Sequence, residues 1–544
     1  MHNHKDSEKD FSDLFWADQI AKQIISRERF HYNDNKILKF DEYTVKTSAS
    51  LSGVLHIGRL SDTIRGESVA IALKDTGVKT RFIWVAENMD PLRKVPKGVP
   101  ESFEKYIGVP VTDIPDAEGC HGSYADHHME EYFKVIDEFV VTKMEKFSMR
   151  EEYKKGNFNS FIEKILEKID DVKEIQNRYR TNPLKKHWSP WTPICENCGR
   201  IVTPNITNFE NGIVEYVCRD YEFETTTAKG CGFKGENNPL KGNGKLLWKS
   251  EWAAQWARWQ VVSEGAGKEY QVPNSAWWIN GEIVEKVIGF PMPVPIFYEH
   301  IMIDNQKMSA SVGNVVYPKD WLEVAPPELL RMFYNKRLMT TRSFSWKDLP
   351  NLYDEYDYMA KVYLGNANLE NKKEEAHFKR LFKVSHGKEI QKPVELSFSH
   401  AAVIAQIFPN EEDAIKSMEK TGHYNKEMHE RIFERLRKAK IWLKKYAPED
   451  VKFEVQKHVP KNIELSEKEK KALHMIAQLL IEKEYNEKSL FNEFYNVSNK
   501  IELNPADFFR AAYKVLLNKE KGPKLAPFIL ALGKEKVVKL FESA

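Results

Sequence analysis

Short unbroken apolar runs mark the front of the chain, and a 3.6-residue apolar rhythm marks its back. Residues 41–48 read as an extended segment. Thr80-Arg81-Phe82-Ile83-Trp84-Val85-Ala86 reads as a buried strand that stops at the polar cluster Glu87-Asn88-Met89-Asp90. Apolar runs of this length, closed by polar residues, suit strands covered on both faces. Residues 91–98 read as loop, and to about residue 244 the pattern stays interrupted and holds all five cysteines. Strand-like segments resume near Lys245-Leu246-Leu247-Trp248, and Pro295-Ile296-Phe297-Tyr298-Glu299-His300-Ile301-Met302-Ile303 is a further extended stretch. One α/β sheet domain split by an insertion is the expected architecture.

After about residue 348 the period becomes helical. Ile432, Leu436, Ala439 and Leu443 form one stripe, with Arg431, Arg435, Arg437, Lys438 and Lys440 largely on other faces. Ser466-Glu467-Lys468-Glu469 fits a capping box ahead of residues 473–481, Asn504-Pro505 starts another helix, and Gly522-Pro523 marks the loop behind it. The last 180 or so residues therefore predict an all-helical domain or pair of domains.

Composition narrows the class. The 544 residues are 42% hydrophobic and 12% aromatic, ample for sizeable cores and unlike a disordered chain. Net charge is +2, so a nucleic-acid partner would need local basic surfaces. The charged start, Met1 to Asp10, does not resemble a signal peptide, and no apolar run approaches a membrane span. The cytoplasm is the expected compartment.

Two short elements carry the candidate chemistry. His56-Ile57-Gly58 follows the first extended segment, where a strand would hand over to a helix. Lys307-Met308-Ser309-Ala310-Ser311 follows the stretch ending at Ile303, about 250 residues later. Loop tips beside strand ends are where an α/β sheet places its ligand. Activating a carboxylate with ATP needs donors for the phosphate oxygens and a cation for the leaving pyrophosphate. His56 at a helix N-terminus, with free backbone N–H groups beside it, fits the first need. Gly53 and Gly58 let adenine and phosphates approach the backbone. Lys307, on a loop, supplies the cation, and Ser309 and Ser311 add hydroxyls. Taken singly, each motif is common by chance; their order and context together point to an adenylate-forming enzyme.

The two elements resemble the HIGH-type and KMSKS-type motifs of class I aminoacyl-tRNA synthetases. Asp90-Pro91-Leu92-Arg93-Lys94-Val95-Pro96, Gly267-Lys268-Glu269-Tyr270 and Gly522-Pro523-Lys524-Leu525-Ala526-Pro527-Phe528 narrow the resemblance to the class I lysyl-tRNA synthetases, over nearly the whole chain from about residue 12. The resemblance implies a Rossmann-type α/β core in residues 12–90 and 246–300, and an insertion over 91–245 with zinc clusters and acceptor-end contacts. It further implies a KMSKS loop and stem-contact domain over 301–360, and helical anticodon-binding domains over 361–544. ATP with Mg²⁺, lysine and tRNA(Lys) are the implied substrates, lysine is activated only with tRNA bound, and the chain is expected to be a monomer. ATP contacts fall on Gly53, His56, Gly58, Lys307 and Met308, and amino-acid contacts on Ser48, Ser50, Asp90, Trp248 and Tyr270. The chain departs from the family pattern at Arg59, Leu51, Ser48, Ser50 and Glu269-Tyr270. Burying a lysine ammonium calls for a carboxylate, and Asp90, Glu87, Glu269 and Glu282 are the candidates among which the sequence does not choose.

Cys195-Glu196-Asn197-Cys198 forms a knuckle-type pair, with Cys218 and Cys231 at ribbon-like distances, and the set reads as structural Zn²⁺. The 12-residue gap before Cys231 is the unusual feature. Asp116, Cys120, His121 and His127, with His128 adjacent, would by themselves read as a surface histidine cluster; the family resemblance implies a second zinc site there. Arg178-Tyr179-Arg180 and Lys185-Lys186-His187-Trp188 mix cations with aromatics, as single-stranded nucleic acid requires. Beyond residue 466, Phe491, Phe494, Tyr495, Phe508, Phe509 and Tyr513 surround the expected anticodon reader, most of them as core. The rival readings are a glutamyl-type class I synthetase, which needs a cationic pocket, a small-molecule adenylyltransferase, which needs no helical tail, and a non-catalytic tRNA-binding paralogue, expected to lose His56, Lys307 or Ser311.

Overall fold

The computed structural model describes residues 13–50, 56–96, 98–308, 314–387, 390 and 392–544. Leu51, Gly53, Ser309 and Ser311 lie outside the described residues. The chain forms two compact units: residues 1–319, 330–344 and 369–390 make the first, and 320–329, 345–368 and 391–544 the second.

The first unit is built on a five-stranded parallel sheet. Its order runs Val294–Tyr298, Val261–Gly267, β1 (Tyr43–Ser50), β2 (Thr80–Glu87), β3 (Glu145–Ser148). All seven residues of Val261–Gly267 are buried, as expected of a parallel strand covered on both faces. The chain first grows the sheet outward from β1 through β2 to β3, then returns to lay Val261–Gly267 on the other side of β1. The strand order therefore reverses between β1 and Val261–Gly267, and the crevice at their carboxyl ends is where such a sheet binds ligand.

β3 lies inside residues 91–245, so the stretch expected to be insertion also supplies the sheet's edge strand. The helix α1 (Trp16–Ser26) packs against α2 (Ile57–Asp75), which in turn packs across β1, β2 and Val261–Gly267. Glu67 of α2 accepts from the amides of Val141 and Thr142 at 2.7 and 2.6 Å and pairs with Arg331 at 2.5 Å, which ties the helix to residues 141–142 and to Arg331. The apolar stretch 295–303 is not one strand. Val294–Tyr298 joins the main sheet, whereas Ile301–Ile303 pairs with Gln306–Lys307 and Arg342–Phe344 in a second small sheet. Trp248 opens a helix, Trp248–Arg258, rather than continuing a strand.

From Phe398 onward the regular elements of the second unit are all helices. In the helix His429–Lys445 the buried residues include Ile432, Leu436, Ala439 and Leu443, the stripe read from the sequence. The capping box forms at Glu467–Glu482: Ser466 Oγ accepts from Glu469 N, and Glu469 Oε2 accepts from Ser466 N at 2.7 Å. The helix Pro505–Leu517 begins where Asn504-Pro505 predicts. Phe494 and Phe508 are fully buried in this unit's core, but Phe491 and Tyr495 are 45% and 40% exposed. Within the predicted helical range 361–544, the helix Lys372–His386 belongs to the first unit instead. No helix among the described residues is long and apolar enough to cross a membrane.

Candidate active site

His56 is the N-cap of α2, directly beyond the carboxyl end of β1. Its Nδ1 accepts from Gly58 N at 3.1 Å. Burial pushes the imidazole down to about 4, and the neighbouring Arg59 charge adds to that. A neutral ring whose Nδ1 accepts keeps its proton on Nε2, so His56 is a ready donor near neutral pH. The backbone amides at this helix start are not free, contrary to expectation. Ile57 N donates to Val316 O at 3.0 Å, and Gly58 N is taken by the His56 ring.

The second element meets the first here. Met308 lies so close that a Cβ added at Gly58 would sit 2.6 Å from Met308 Cε and 2.9 Å from the His56 ring. Lys307 closes a short hairpin opposite Met302, and Asn314 Nδ2 donates to Lys307 O at 3.0 Å across the base of the loop. Tyr334 Oη donates to Ile57 O at 2.7 Å and completes the seam. Gly58 and Met308, 250 positions apart, thus meet at the switch of strand order.

Arg59, one of the departures, donates to the Ser50 carbonyl at 2.7 Å, and Ser50 Oγ donates to Asp90 Oδ2 at 2.8 Å. Ser48 is half-buried two residues earlier on β1, level with Val85. Lys245 lies 3.0 Å from Glu251 and 3.5 Å from Asp90. Burial alone would lower the Lys245 pKa, but the nearby Glu251 and Asp90 outweigh it and hold the ammonium charged. Trp248 stacks on Trp252 with ring centroids 4.7 Å apart, and Tyr270 meets Trp252 edge-on at 5.3 Å. Trp248 and Tyr270, 22 residues apart, therefore share one partner ring.

Three of the four candidate carboxylates are engaged away from any free cation. Glu282 pairs with Arg178 and Lys286, both at 2.5 Å. Glu269 is exposed and bonds His300 Nε2 at 3.0 Å. Glu87 accepts from Gln255 Nε2, lies 4.0 Å from Lys46, and is raised by burial to about 8, so it holds its proton near neutral pH. Asp90 carries Ser50 and Lys245. The sequence reading missed Asp62, on α2 between His56 and Arg65. Its Oδ1 is buried with no hydrogen-bond partner among the described residues, and Gly265 on Val261–Gly267 leaves room for it: a Cβ there would sit 2.0 Å from Oδ1. Burial and the nearby Glu264 push its carboxyl up to about 7, against a hydrogen bond from Tyr298. Arg65 lies over the Tyr298 ring at 4.4 Å. No local signal sets it apart, because the same helix also carries Arg59, Arg65, Glu67, Lys74 and Asp75.

Two further clusters can hold a metal. Cys195 Sγ and Cys231 Sγ are 3.6 Å apart, and Cys198 Sγ and Cys218 Sγ are 3.7 Å apart. All four lie within 4.8 Å of one another, Cys231 included. A tetrahedral S₄ site with metal–sulfur bonds of about 2.3 Å has edges of about 3.8 Å, whereas a disulfide would need about 2.05 Å. In the other cluster, His121 Nδ1 and His127 Nδ1 lie 3.0 and 3.2 Å from Cys120 Sγ, with Asp116 Oδ1 3.4 Å from His127 Nδ1. The far nitrogens turn to Glu130 at 2.8 Å and Glu131 at 3.9 Å, the outer carboxylates that metal-bound imidazoles ordinarily have. Of the basic stretch, Arg178 is tied to Glu282 and Trp188 packs against the first unit's core, while Arg180, Lys185, Lys186 and His187 stay exposed.

Known proteins similar to this chain include tRNA ligases. The lysine–tRNA ligase of Thermococcus kodakarensis is 34% identical, across 97% of this chain and 99% of that protein. The lysine–tRNA ligase of Methanosphaera stadtmanae is 29% identical, across 97% and 98%. Among solved structures, a glutamate tRNA ligase from Elizabethkingia meningosepticum matches with a TM-score of 0.41 at 12% identity, over 92% of this chain and 98% of that one. A family profile described as tRNA synthetases class I (K) matches residues 14–388, and with the near full-length relatives it establishes that this chain belongs to that family.

Proposed function

We propose that the chain is a lysine–tRNA ligase that makes lysyl-adenylate from lysine and ATP and passes the lysyl group to tRNA(Lys). The observation that carries the reading is the seam of His56, Gly58 and Met308 at the strand switch, beside Asp62 with its buried, unpartnered Oδ1. In the first step a lysine carboxylate oxygen attacks the α-phosphorus, and the bond to pyrophosphate breaks. His56 Nε2–H donates to an α-phosphate oxygen as charge gathers there, and Lys307 neutralises the departing pyrophosphate. Mg²⁺ enters with the ATP phosphates as part of the substrate. In the second step a terminal ribose hydroxyl of the tRNA attacks the lysyl carbonyl, and AMP leaves.

In the amino-acid pocket, Ser48, Ser50 and Asp90 hold the backbone end, and Trp248 and Tyr270 flank the aliphatic chain. Asp62 takes the ε-ammonium. A buried carboxylate oxygen with no hydrogen-bond partner among the described residues is costly to ionise, and a bound ammonium offsets that cost. This acidic floor argues against the glutamyl-type alternative. The Cys₄ set and the Asp116, Cys120, His121, His127 set each hold a structural Zn²⁺, supported by their donor chemistry and spacing. Zinc there fastens loops that have little apolar core of their own. Arg180, Lys185, Lys186 and His187 offer cations to the acceptor end, and the exposed rings of Phe491 and Tyr495 offer stacking surfaces to unpaired anticodon bases. The reading places a monomeric enzyme in the cytoplasm, with tRNA needed for activation.

ATP–pyrophosphate exchange with each amino acid, with and without tRNA, tests it. Exchange stimulated by lysine and requiring tRNA is the expected result. Stimulation by another amino acid, or none by lysine with tRNA present, would overturn it.

A further inference from the structure

Glu264 is 2% exposed and lies on Val261–Gly267, the strand at the switch point. Its Oε1 pairs with Lys46 Nζ at 2.6 Å; its Oε2 accepts from Trp252 Nε1 at 2.9 Å and from Trp256 Nε1 at 2.6 Å. Lys46 is itself fully buried on β1. One carboxylate thus joins two neighbouring strands to two turns of the helix Trp248–Arg258. The i, i+4 spacing of Trp252 and Trp256 puts both indoles on the face that meets it. Trp252 is in turn the ring on which Trp248 stacks, with planes 23° apart, and against which Tyr270 stands edge-on at 72°. Neither Trp248 nor Tyr270 meets Glu264 in a hydrogen bond; both reach it through Trp252.

We propose that Glu264 and Trp252 are positioning residues of the amino-acid pocket, the buried carboxylate locking the Trp252 ring and that ring setting the angle and separation of Trp248 and Tyr270. The proposal rests on reading those two aromatics as lysine contacts. An unanchored indole in a cluster of four tryptophans (Trp248, Trp252, Trp256 and Trp277) would have several near-equivalent packings. Charge-assisted hydrogen bonds from the indole N–H select one. Anchoring through a carboxylate also keeps Lys46 neutralised, so the lock and the ion pair stand or fall together. The presence of tyrosine at 270 fits the same logic, because its ring stands edge-on with Trp252 while its carbonyl accepts from Ser275 Oγ at 2.6 Å and fixes the turn.

Trp252→Phe keeps an aromatic ring in the sandwich but has no N–H to give Glu264. The lysine KM in the exchange reaction should rise about tenfold while kcat stays within about threefold, the pattern of lost binding rather than lost chemistry. Trp256→Phe removes a bond to the same carboxylate from a ring that meets neither Trp248 nor Tyr270, and should leave the lysine KM within about twofold. The lock itself is read without substrate, from the circular-dichroism couplet of the stacked indoles, isolated as wild type minus Trp248→Phe. That couplet should vanish in Glu264→Gln. A wild-type enzyme indifferent to lysine would sink the functional reading and leave the couplet to decide the lock. A couplet unchanged in Glu264→Gln, or a Trp252→Phe enzyme that melts lower at an unchanged lysine KM, would overturn the positioning role.

Discussion

Asp62 ties the chemistry of one residue to the pH response of the whole site. Its carboxyl is raised from 3.8 to about 7 by burial and by the like charge of Glu264. The ε-ammonium binds the ionised form. Below pH 7 the carboxyl is protonated in the empty pocket, so lysine must displace a proton to bind. The lysine KM should therefore climb as pH falls from about 8 to about 6, approaching tenfold per unit. Asp62→Asn should have a high KM with a flat profile, and an Asp62→Asn enzyme that kept the wild-type slope would remove Asp62 from the pocket. The stability effect has the opposite sign. A carboxyl whose folded pKa lies above its unfolded value stabilises the native state at low pH, and that contribution is lost as pH rises through 7. Asp62→Asn should accordingly melt above wild type at pH 8, with the gap closing towards pH 4. Lys307 is a different kind of residue, a cation at a hairpin end whose work comes as pyrophosphate leaves. Lys307→Ala should lower kcat in exchange by about a hundredfold or more with little change in the lysine KM, as for a contact made mainly in the transition state. A variant altered only in KM would contradict that role. His56 and Lys307 were legible in the sequence because short motifs with fixed order survive translation into one dimension. Asp62 was not, because a charge in mid-helix ordinarily faces solvent and nothing in the local pattern says that both faces of α2 are covered.

Elements whose signals are local came through from sequence to structure, and those whose signals are tertiary did not. The capping box at Ser466 and Glu469 needs only four residues, and both of its hydrogen bonds form. The apolar stretch 295–303 was misjudged because Glu299 and His300 carry no turn signature; the break there comes from the chain changing sheets, Val294–Tyr298 pairing with Val261–Gly267 and Ile301–Ile303 with Arg342–Phe344. β3 was hidden inside the supposed insertion for a similar reason: at four residues, none fully buried, it has too little apolar content to read as a sheet strand. The cysteine cluster lies between these extremes. Its knuckle pair was plain, but Cys231 joined only because the antiparallel strands Ile213–Cys218 and Lys234–Asn237 fold the intervening residues back on themselves. Two metal sites predict two metals per chain. Elemental analysis should find about two zinc equivalents in wild type and about one in either Cys198→Ser or His127→Ala. A strong chelator should lower the melting temperature of all three proteins, since metal binding is folding energy for such loops. A wild-type protein with no zinc and an unchanged melt after chelation would reduce both clusters to unmetallated side chains.

The order of segments along the chain is not the order of the units in space, and this governs how the molecule can be divided. The family resemblance implies successive domains ending at 300, 360 and 544, whereas the chain passes between the two units several times before residue 391. Residues 345–368 belong to the second unit and depend on helices later in the chain. Tyr353 stacks on Phe398 with centroids 4.2 Å apart and planes 14° apart, Asp357 takes both guanidinium nitrogens of Arg435 at 2.6 and 3.0 Å, and Trp442 Nε1 donates to Trp346 O at 2.8 Å. A chain ending at residue 390 would keep the whole parallel sheet, the His56–Met308 seam and both cysteine-bearing clusters. It would also uncover Tyr353, which Phe398 and Arg435 cover in the full protein, and leave Asp357 without its arginine. Uncovering one such side chain forfeits about 1.5–3 kcal/mol, a sizeable share of an ordinary domain's stability. The prediction is that residues 1–390, although they contain the whole stretch matched by the family profile, form a poorly soluble protein with a broadened melt and no lysine-dependent exchange. Calorimetry of the truncated and full chains checks it: a truncated protein with one sharp transition matching the full chain's first-unit transition would show that the sheet unit carries residues 345–368 unaided, and that the helical tail serves tRNA alone.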